Sequence, residues 1–167
     1  MEIIAKEIAL YISIILTGLS AGLFFAWQVS VIPGTKLVKD ATYIETMQKI
    51  NRAIINPPFM LIFLGTLIMQ ILSVYFYRDT TNTFWFILGA TSLYGVGTVL
   101  LTGLGNVPLN DALDSLKLNE LPADQITGER RGYESRWNRL HIIRTTFSVL
   151  SFMMLLLAAF LTASPET

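Results

Sequence analysis

Charge is absent from four long stretches of the chain, and that pattern sets the fold. Residues 8–35, 53–77, 80–110 and 145–165 contain no Asp, Glu, Lys or Arg. Each stretch exceeds the roughly 20 apolar residues a helix needs to cross a bilayer. Backbone groups in hydrocarbon must bond within their own segment, so the spans are read as helices. Their apolar runs do not alternate as barrel strands would. The pattern predicts helices at about 8–32, 56–76, 83–105 and 140–163, with polar loops at 33–55 and 106–139. Pro33-Gly34 is expected to stop the first helix, and Pro57-Pro58 to open the second, where missing N–H groups cost little. The short link at residues 77–82 makes the second and third helices antiparallel neighbours. The expected fold is all-α, a single transmembrane domain over 1–167 built as an up-down four-helix bundle.

Composition agrees with a membrane chain. Of 167 residues, 53% are hydrophobic and 14% charged, and mean hydropathy is +0.55. Soluble domains carry about 25% charged residues. Zero formal net charge leaves no basic face for nucleic acid. The absence of cysteine excludes disulfides, iron–sulfur clusters and thiolate-held zinc or haem. The first apolar run is too long for a signal peptide.

Basic residues fix the expected orientation. Lys36, Lys39, Lys49 and Arg52 lie in the first connection, and Lys117, Arg130, Arg131, Arg136 and Arg139 in the third. The opposite side has Lys6 and Arg78. The positive-inside rule then places both termini outside the cytoplasm of a bacterial inner membrane. Tyr11, Tyr75, Tyr77, Phe84 and Trp85 would form the outer aromatic belt.

Two small-residue patterns bear on packing. Gly18 and Gly22 form a GxxxG in helix one, and helix three carries Gly89, Gly95, Gly97, Gly103 and Gly105. Both suit close helix approach, inside one bundle or between two copies. A weak internal repeat relates Asn51-Arg52 and Asn138-Arg139 at the starts of helices two and four. It also relates Val31-Ile32-Pro33 and Asn106-Val107-Pro108 at the ends of helices one and three.

The candidate chemistry gathers at the basic end: Gln28, Asn51, Asn56, Asn106, Asn110, Asn138, His141 and Arg144. Trp137, His141, Arg144 and Ser148 share one face of helix four. Arg144 lies about one turn inside the apolar region, where an unpaired charge costs roughly 2.5–3.5 kcal/mol. No span contains a carboxylate, so its partner would be an amide, a carbonyl, a loop carboxylate such as Asp111, or a ligand. Two readings stand side by side: Arg144 snorkels and the asparagines cap helix ends, or these residues line a ligand pocket. The single histidine excludes a bis-histidine haem, and the residue three before it is Asn138, not the Glu of a di-iron motif. No metal or other cofactor site is expected.

The chain resembles the anthrone oxygenase-like family of small four-helix membrane proteins, first catalogued as a domain of unknown function. The resemblance rests on Gly22-Leu23-Phe24-Phe25 through Pro33-Gly34, and on Met47-Gln48-Lys49-Ile50-Asn51 with Asn56-Pro57-Pro58-Phe59. It rests equally on Asn106-Val107-Pro108-Leu109-Asn110 and on Tyr133-Glu134-Ser135-Arg136-Trp137-Asn138 through His141 and Arg144-Thr145. It implies oxidation of an anthrone to an anthraquinone by molecular oxygen without metal or flavin. His141 would then be the general base. Arg144 with Asn106, Asn110 and Asn138 would stabilise the enolate, and Trp27 and Trp137 would stack on the rings. The competing reading is a non-catalytic membrane module for a lipid or small apolar ligand, or a small transporter or accessory subunit. The partners expected are the bilayer, a lipophilic small molecule, and a second copy through the small-residue faces.

Overall fold

The computed structural model describes residues 2–163, and no strand occurs among them. Four helices are long and apolar enough to cross a membrane: Ile4–Thr35, Pro57–Phe76, Thr81–Asp114 and Ala123–Thr162. In local detail the first is α1 (Glu2–Ala26), a π-helical turn (Trp27–Val31) and α2 (Ile32–Thr35). Next come α3 (Asp40–Ala53) and α4 (Pro57–Phe76). The third is α5 (Thr81–Tyr94), two π-helical segments (Gly95–Leu100 and Thr102–Asn106) and α6 (Val107–Asp114). A 3₁₀ turn at Leu118–Glu120 leads to α7 (Ala123–Ala163).

The bundle is four-sided. α1 packs on α4 and α7, and α5 packs on the same two. At the end carrying both termini, Thr80 donates its N–H to the Tyr77 carbonyl at 2.9 Å and closes the α4–α5 turn. Lys6 donates to Thr80 Oγ1 at 2.8 Å and lies 4.2 Å from the Tyr77 ring centroid. Outward faces are apolar, with Leu61, Leu104 and Phe160 all strongly exposed in the isolated chain, as lipid-facing positions require.

Two expected boundaries moved for a common reason. The first helix runs through Pro33 to Thr35, and the third through Pro108 to Asp114. Each proline follows a π-helical segment and sits in the first turn of the next helical piece. A proline has no N–H to donate, and a wider π turn re-registers the ladder around it. The helices therefore continue past the prolines. Asn56 does start a helix: extended at φ −134°, it accepts from Phe59 N at 3.0 Å and caps α4, followed by Pro57-Pro58.

The stretches expected to be polar loops are largely helical. α3 fills the first, and α6 with the first turns of α7 fills the second. The polarity that suggested loops is that of amphipathic helices lying outside the apolar layer. Tyr43, Ile44 and Met47 of α3 pack with Ile32, Leu113, Tyr133 and Trp137 into a second core over the basic end. Arg130 ties it down, donating to the carbonyls of Val38 at 2.7 Å and Thr35 at 3.1 Å and to Asp40 at 2.8 Å. It thus occupies the orphan carbonyls at the end of α2. Gln48 does the same for α6, donating to the Leu113 and Leu116 carbonyls at 2.8 and 3.0 Å. The Thr127 hydroxyl and then Arg130 hold the Asp40 carboxyl below its usual range. Burial pushes the Tyr43 phenol up.

Glycines of the third helix let α7 approach. A Cβ on Gly97 would overlap the Phe147 side chain, and one on Gly105 would lie 2.8 Å from Leu140 Cδ1. In the GxxxG of α1, Gly18 faces Phe152 of α7, whereas nothing approaches Gly22. The two halves of the repeat sit in different local structure. Asn51-Arg52 lies in the last turn of α3, just before that helix ends, while Asn138-Arg139 is inside the continuous α7.

Candidate functional site

Between the spans and the basic-end core is a partly open cavity of about 390 Å³. That volume is in the range of small-molecule sites, roughly 300–1,000 Å³. Its walls are mainly apolar and aromatic: Leu23, Phe24 and Trp27 from the first span, Ile54 and Ile55 from the break after α3, Phe59, Met60 and Phe63 from α4. Polar groups come from Asn51, Thr102, Asn110, Trp137, His141 and Arg144, with Arg52, Asp111 and Asp114 also on its lining.

His141 and Arg144 form the centre. His141 is fully buried and Arg144 is 8% exposed. One turn apart on α7, they bond directly: Arg144 Nε and Nη2 lie 3.1 and 2.9 Å from His141 Nδ1. Arginine can only donate, so Nδ1 is an acceptor. His141 Nε2 lies 3.1 Å from the Phe24 carbonyl, which can only accept. These partners assign the neutral imidazole with its proton on Nε2. The Arg144 guanidinium sits 4.7 Å from the Phe24 ring and 5.0 Å from that of Trp137. Trp137 stacks on the imidazole at 5.0 Å with a 7° interplanar angle. The loop carboxylates do not pair with Arg144: Asp114 is held by Arg52 at 2.7 Å, and Asp111 makes no ion pair with it. Among the described residues Arg144 is a cation without a carboxylate partner, and its Nη1 meets no acceptor.

A relay of hydrogen bonds supports this pair from the basic-end core. Asn51 Nδ2 donates to Tyr133 Oη at 3.2 Å. The Tyr133 hydroxyl donates to Asn110 Oδ1 at 3.0 Å, and Trp137 Nε1 donates to the same oxygen at 3.0 Å. Two donors on Oδ1 settle the amide orientation, leaving Asn110 Nδ2 without a protein acceptor on a residue that lines the cavity. Asn110 is the last of three polar residues spaced four apart, after Thr102 and Asn106. The Thr102 hydroxyl and both side-chain heteroatoms of Asn106 are buried without a protein partner.

The candidate residues therefore divide. Trp27, Asn51, Asn110, Trp137, His141 and Arg144 share the cavity. Asn106 lies beside it, fully buried but off the lining. Asn56 acts as a cap, donating to the Ala53 carbonyl at 2.8 Å as well as accepting from Phe59. Asn138 lines a separate open depression with Lys36, Asp40 and Arg131. Gln28 is half-buried off the cavity, with its Oε1 unpartnered. Sequence reasoning missed Tyr133, which orients Asn110, and Phe24, which gives His141 its carbonyl and Arg144 a ring face. The signal for Tyr133 was present, since it lies four residues before Trp137 on one helical face. The Phe24 carbonyl had none, because any residue supplies a main-chain oxygen. No cluster of three or more metal-ligating His, Cys, Asp or Glu occurs among the described residues.

Fold and cavity together define a class: an α-helical multi-pass membrane protein with a mainly apolar pocket that bears a few polar and charged groups. Within that class the chain belongs to the anthrone oxygenase family, whose profile matches residues 56–154. The match takes in α4, the whole third span and the part of α7 that carries Trp137, His141 and Arg144. No curated protein and no solved structure matches the chain.

Proposed function

We propose that the protein oxidises a lipophilic carbon acid of the anthrone type with molecular oxygen, with no metal or organic cofactor, and that the cavity is its active site. The observation that carries this reading is the buried Arg144–His141 pair on an otherwise apolar cavity, in a chain of this family. The substrate's carbonyl oxygen takes the Arg144 donors. As the guanidinium swings to that oxygen it releases His141 Nδ1, whose lone pair then accepts a proton from the activated methylene. Phe24 holds the Nε2 proton and keeps the tautomer required. The enolate is stabilised by Arg144 and by Asn110 Nδ2, donors aimed where charge develops.

The enolate passes one electron to oxygen, and the radical pair combines at the former methylene carbon as a peroxide. Loss of the remaining C–H proton with cleavage of the O–O bond gives the second carbonyl and releases water. One anthrone and one oxygen molecule yield one anthraquinone and one water, a four-electron oxidation matched by the four-electron reduction of oxygen. Trp27 and Trp137, with ring centroids 6.1 Å apart, provide faces for a planar ring system.

Supporting the orientation are the basic residues gathered at the site end. The reading places that end in the cytoplasm of a bacterial cell and both termini outside. Single cysteines near Lys117 should resist membrane-impermeant thiol reagents added from outside; labelling there overturns the orientation. The activity is tested by initial oxygen uptake and anthraquinone formation with an anthrone in membranes containing the protein. Uptake no greater than in membranes lacking it overturns the oxygenase reading.

One observation favours a second reading, a non-catalytic binding module. In the structure the only lone pair of His141 is occupied by Arg144. If Arg144 stays on Nδ1 when ligand binds, the site can hold a ligand but has no histidine base. Anthrone binding without oxygen uptake is the outcome that selects this reading.

A further inference from the structure

We infer that the ligand carries a negative charge as bound: the cavity is a site for a lipophilic monoanion, an apolar body with one anionic oxygen head, seated at Arg144. This rests on the cavity being the ligand site and not on the oxidation. Three observations point to it. Arg144 is buried at 8% exposure, beside a neutral imidazole and two aromatic rings, with no carboxylate partner among the described residues. Breaking up a buried ion pair is costly because the remaining charge is left uncompensated. No carboxylate bonds Arg144, and of the two on the lining Asp114 is held by Arg52, so the charge at Arg144 is left for what fills the cavity to balance.

The second observation is the character of the remaining polar groups. Arg144 Nη1 and Asn110 Nδ2 are both donors without protein acceptors. Thr102, also on the lining, has its hydroxyl unpartnered. This end of the cavity offers donors and wants acceptors.

Third, the wall carbonyl that could have balanced Arg144 is already used. The Phe24 oxygen accepts from His141 Nε2 at 3.1 Å. The imidazole turns its acceptor to Arg144 and its donor away from it, which holds the guanidinium in place without neutralising it.

A lipophilic carboxylate and the enolate or phenolate of a phenolic ketone share this chemistry, and a matched set of probes separates them. The protein is placed in phosphatidylcholine nanodiscs in a Trp85→Phe background, which leaves Trp27 and Trp137, both on the cavity, as the emitting indoles. Quenching is titrated with anthraquinone-2-carboxylate, with its neutral carboxamide, and with a hydroxyanthraquinone above and below the pH of its phenol ionisation. Partition into empty nanodiscs is subtracted. The carboxylate should bind about tenfold to a hundredfold more tightly than the carboxamide, the difference of a charge-assisted over a neutral hydrogen bond. Arg144→Gln, which keeps donors and removes charge, should abolish the preference. Equal wild-type affinities for carboxylate and carboxamide, with no gain on ionising the hydroxyanthraquinone, overturn the inference, and so does a preference that survives Arg144→Gln. The wild-type comparison stands even if the variant fails to fold. A preference for the ionised hydroxyanthraquinone alone would confine the site to phenolate and enolate heads and overturn the carboxylate arm. Oxygen uptake with an anthrone, measured on the same preparation, decides the oxygenase reading separately.

Discussion

The two ends of the bundle bury polar side chains in opposite ways. Towards the termini, Ser13 meets Ser73 at 3.0 Å, Gln70 donates to Thr17 at 2.9 Å and Ser151 at 3.1 Å, and Ser20 meets Tyr94 at 2.8 Å. Most of these hydroxyls also have a helix carbonyl in reach, Ser13 that of Ala9, Thr17 that of Ser13, Ser73 that of Met69 and Ser151 that of Ala90, and either Ser13 or Ser73 gives its single proton across their pair instead. They are small and neutral, and they glue helices. Around them Leu10, Ile87, Ala90, Leu155 and Ala158 pack without exposure. At the basic end the polar side chains are large and reach across π-distorted spans, leaving a cavity, unpaired donors and an unbalanced cation. Polarity alone does not mark a site in a membrane. Unpartnered polar groups gathered on a cavity do, and the isolated Gln70 Oε1 of the terminal half lines none.

The largest effect expected from breaking the contrast is at His141. His141→Gln retains hydrogen bonding but cannot take a proton. Initial oxygen uptake with an anthrone should fall by about 10²–10⁴-fold, the range of general-base catalysis. A rate equal to wild type would remove His141 from the chemistry and leave it as the residue that positions Arg144.

Next is Gly97, on the seam that joins both ends to α7. Gly97→Ala places a methyl into Phe147, so a ring or a helix must shift, and overpacking of this kind costs about 1–3 kcal/mol. Gly22→Ala, where nothing lies within 4 Å, should be neutral or gain up to about 1 kcal/mol of helix propensity. Unfolding in mixed micelles measures both. Equal losses would show that the GxxxG of α1 makes an unseen contact, as a second copy of the chain would.

How far the sequence could be read follows the same division. The spans were legible because a bilayer demands runs without charge. The pocket was half legible: Trp137, His141 and Arg144 share a face by spacing alone. Asn110 joined them because the third helix passes Pro108. That continuation depends on a π turn, which hydrophobic periodicity does not show. Asn56 looked like a site residue and is a cap, since both roles ask for the same amide at a helix start. The charged stretches looked like loops because amphipathic helices beyond the apolar layer have no long uncharged run to reveal them. Asp111 was a fair partner for Arg144 on the sequence, but Arg144 turned to His141 on its own helix instead.

Trp137→Phe sharpens the site end. It keeps a ring against His141 and removes the Nε1 donor to Asn110. One net hydrogen bond is worth about 0.5–1.5 kcal/mol, so ligand affinity should weaken by about tenfold or less while the fold persists. Unchanged affinity would mean that Tyr133 alone orients the amide.

A smaller effect is expected where the basic-end core is latched. Thr127 and Arg130 hold the Asp40 carboxyl low in the folded state. A depressed carboxylate contributes stability above its unfolded pKa and loses it as pH falls through the folded value. Thermal stability of the wild type should therefore drop below about pH 4, and Asp40→Asn should remove that part of the drop. Asp40 is at the surface, so the shift will be slight. An identical acid profile in the variant would assign the loss to other carboxylates.

Gln70→Leu is expected to do least, and it tests the terminal half most directly. Gln70 is fully buried among spans and is the largest amide in that region. Its Nε2 donates to two hydroxyls, but Thr17 and Ser151 already give their own protons to the carbonyls of Ser13 and Ala90. Removing the amide therefore strands no donor and costs only two acceptances, each modest in a bilayer at roughly 0.6 kcal/mol. Against that loss, Gln70 Oε1 is buried with no partner. Its removal recovers part of a desolvation penalty of about 1–3 kcal/mol. Leucine adds apolar contact in a region already packed with Leu and Ala. The terms nearly cancel, so unfolding should shift by less than about 1 kcal/mol in either direction, and oxygen uptake should not change. A loss several times larger would mean that Oε1 has a partner at work, such as an internal water. The terminal half would then be a working polar path rather than inert glue.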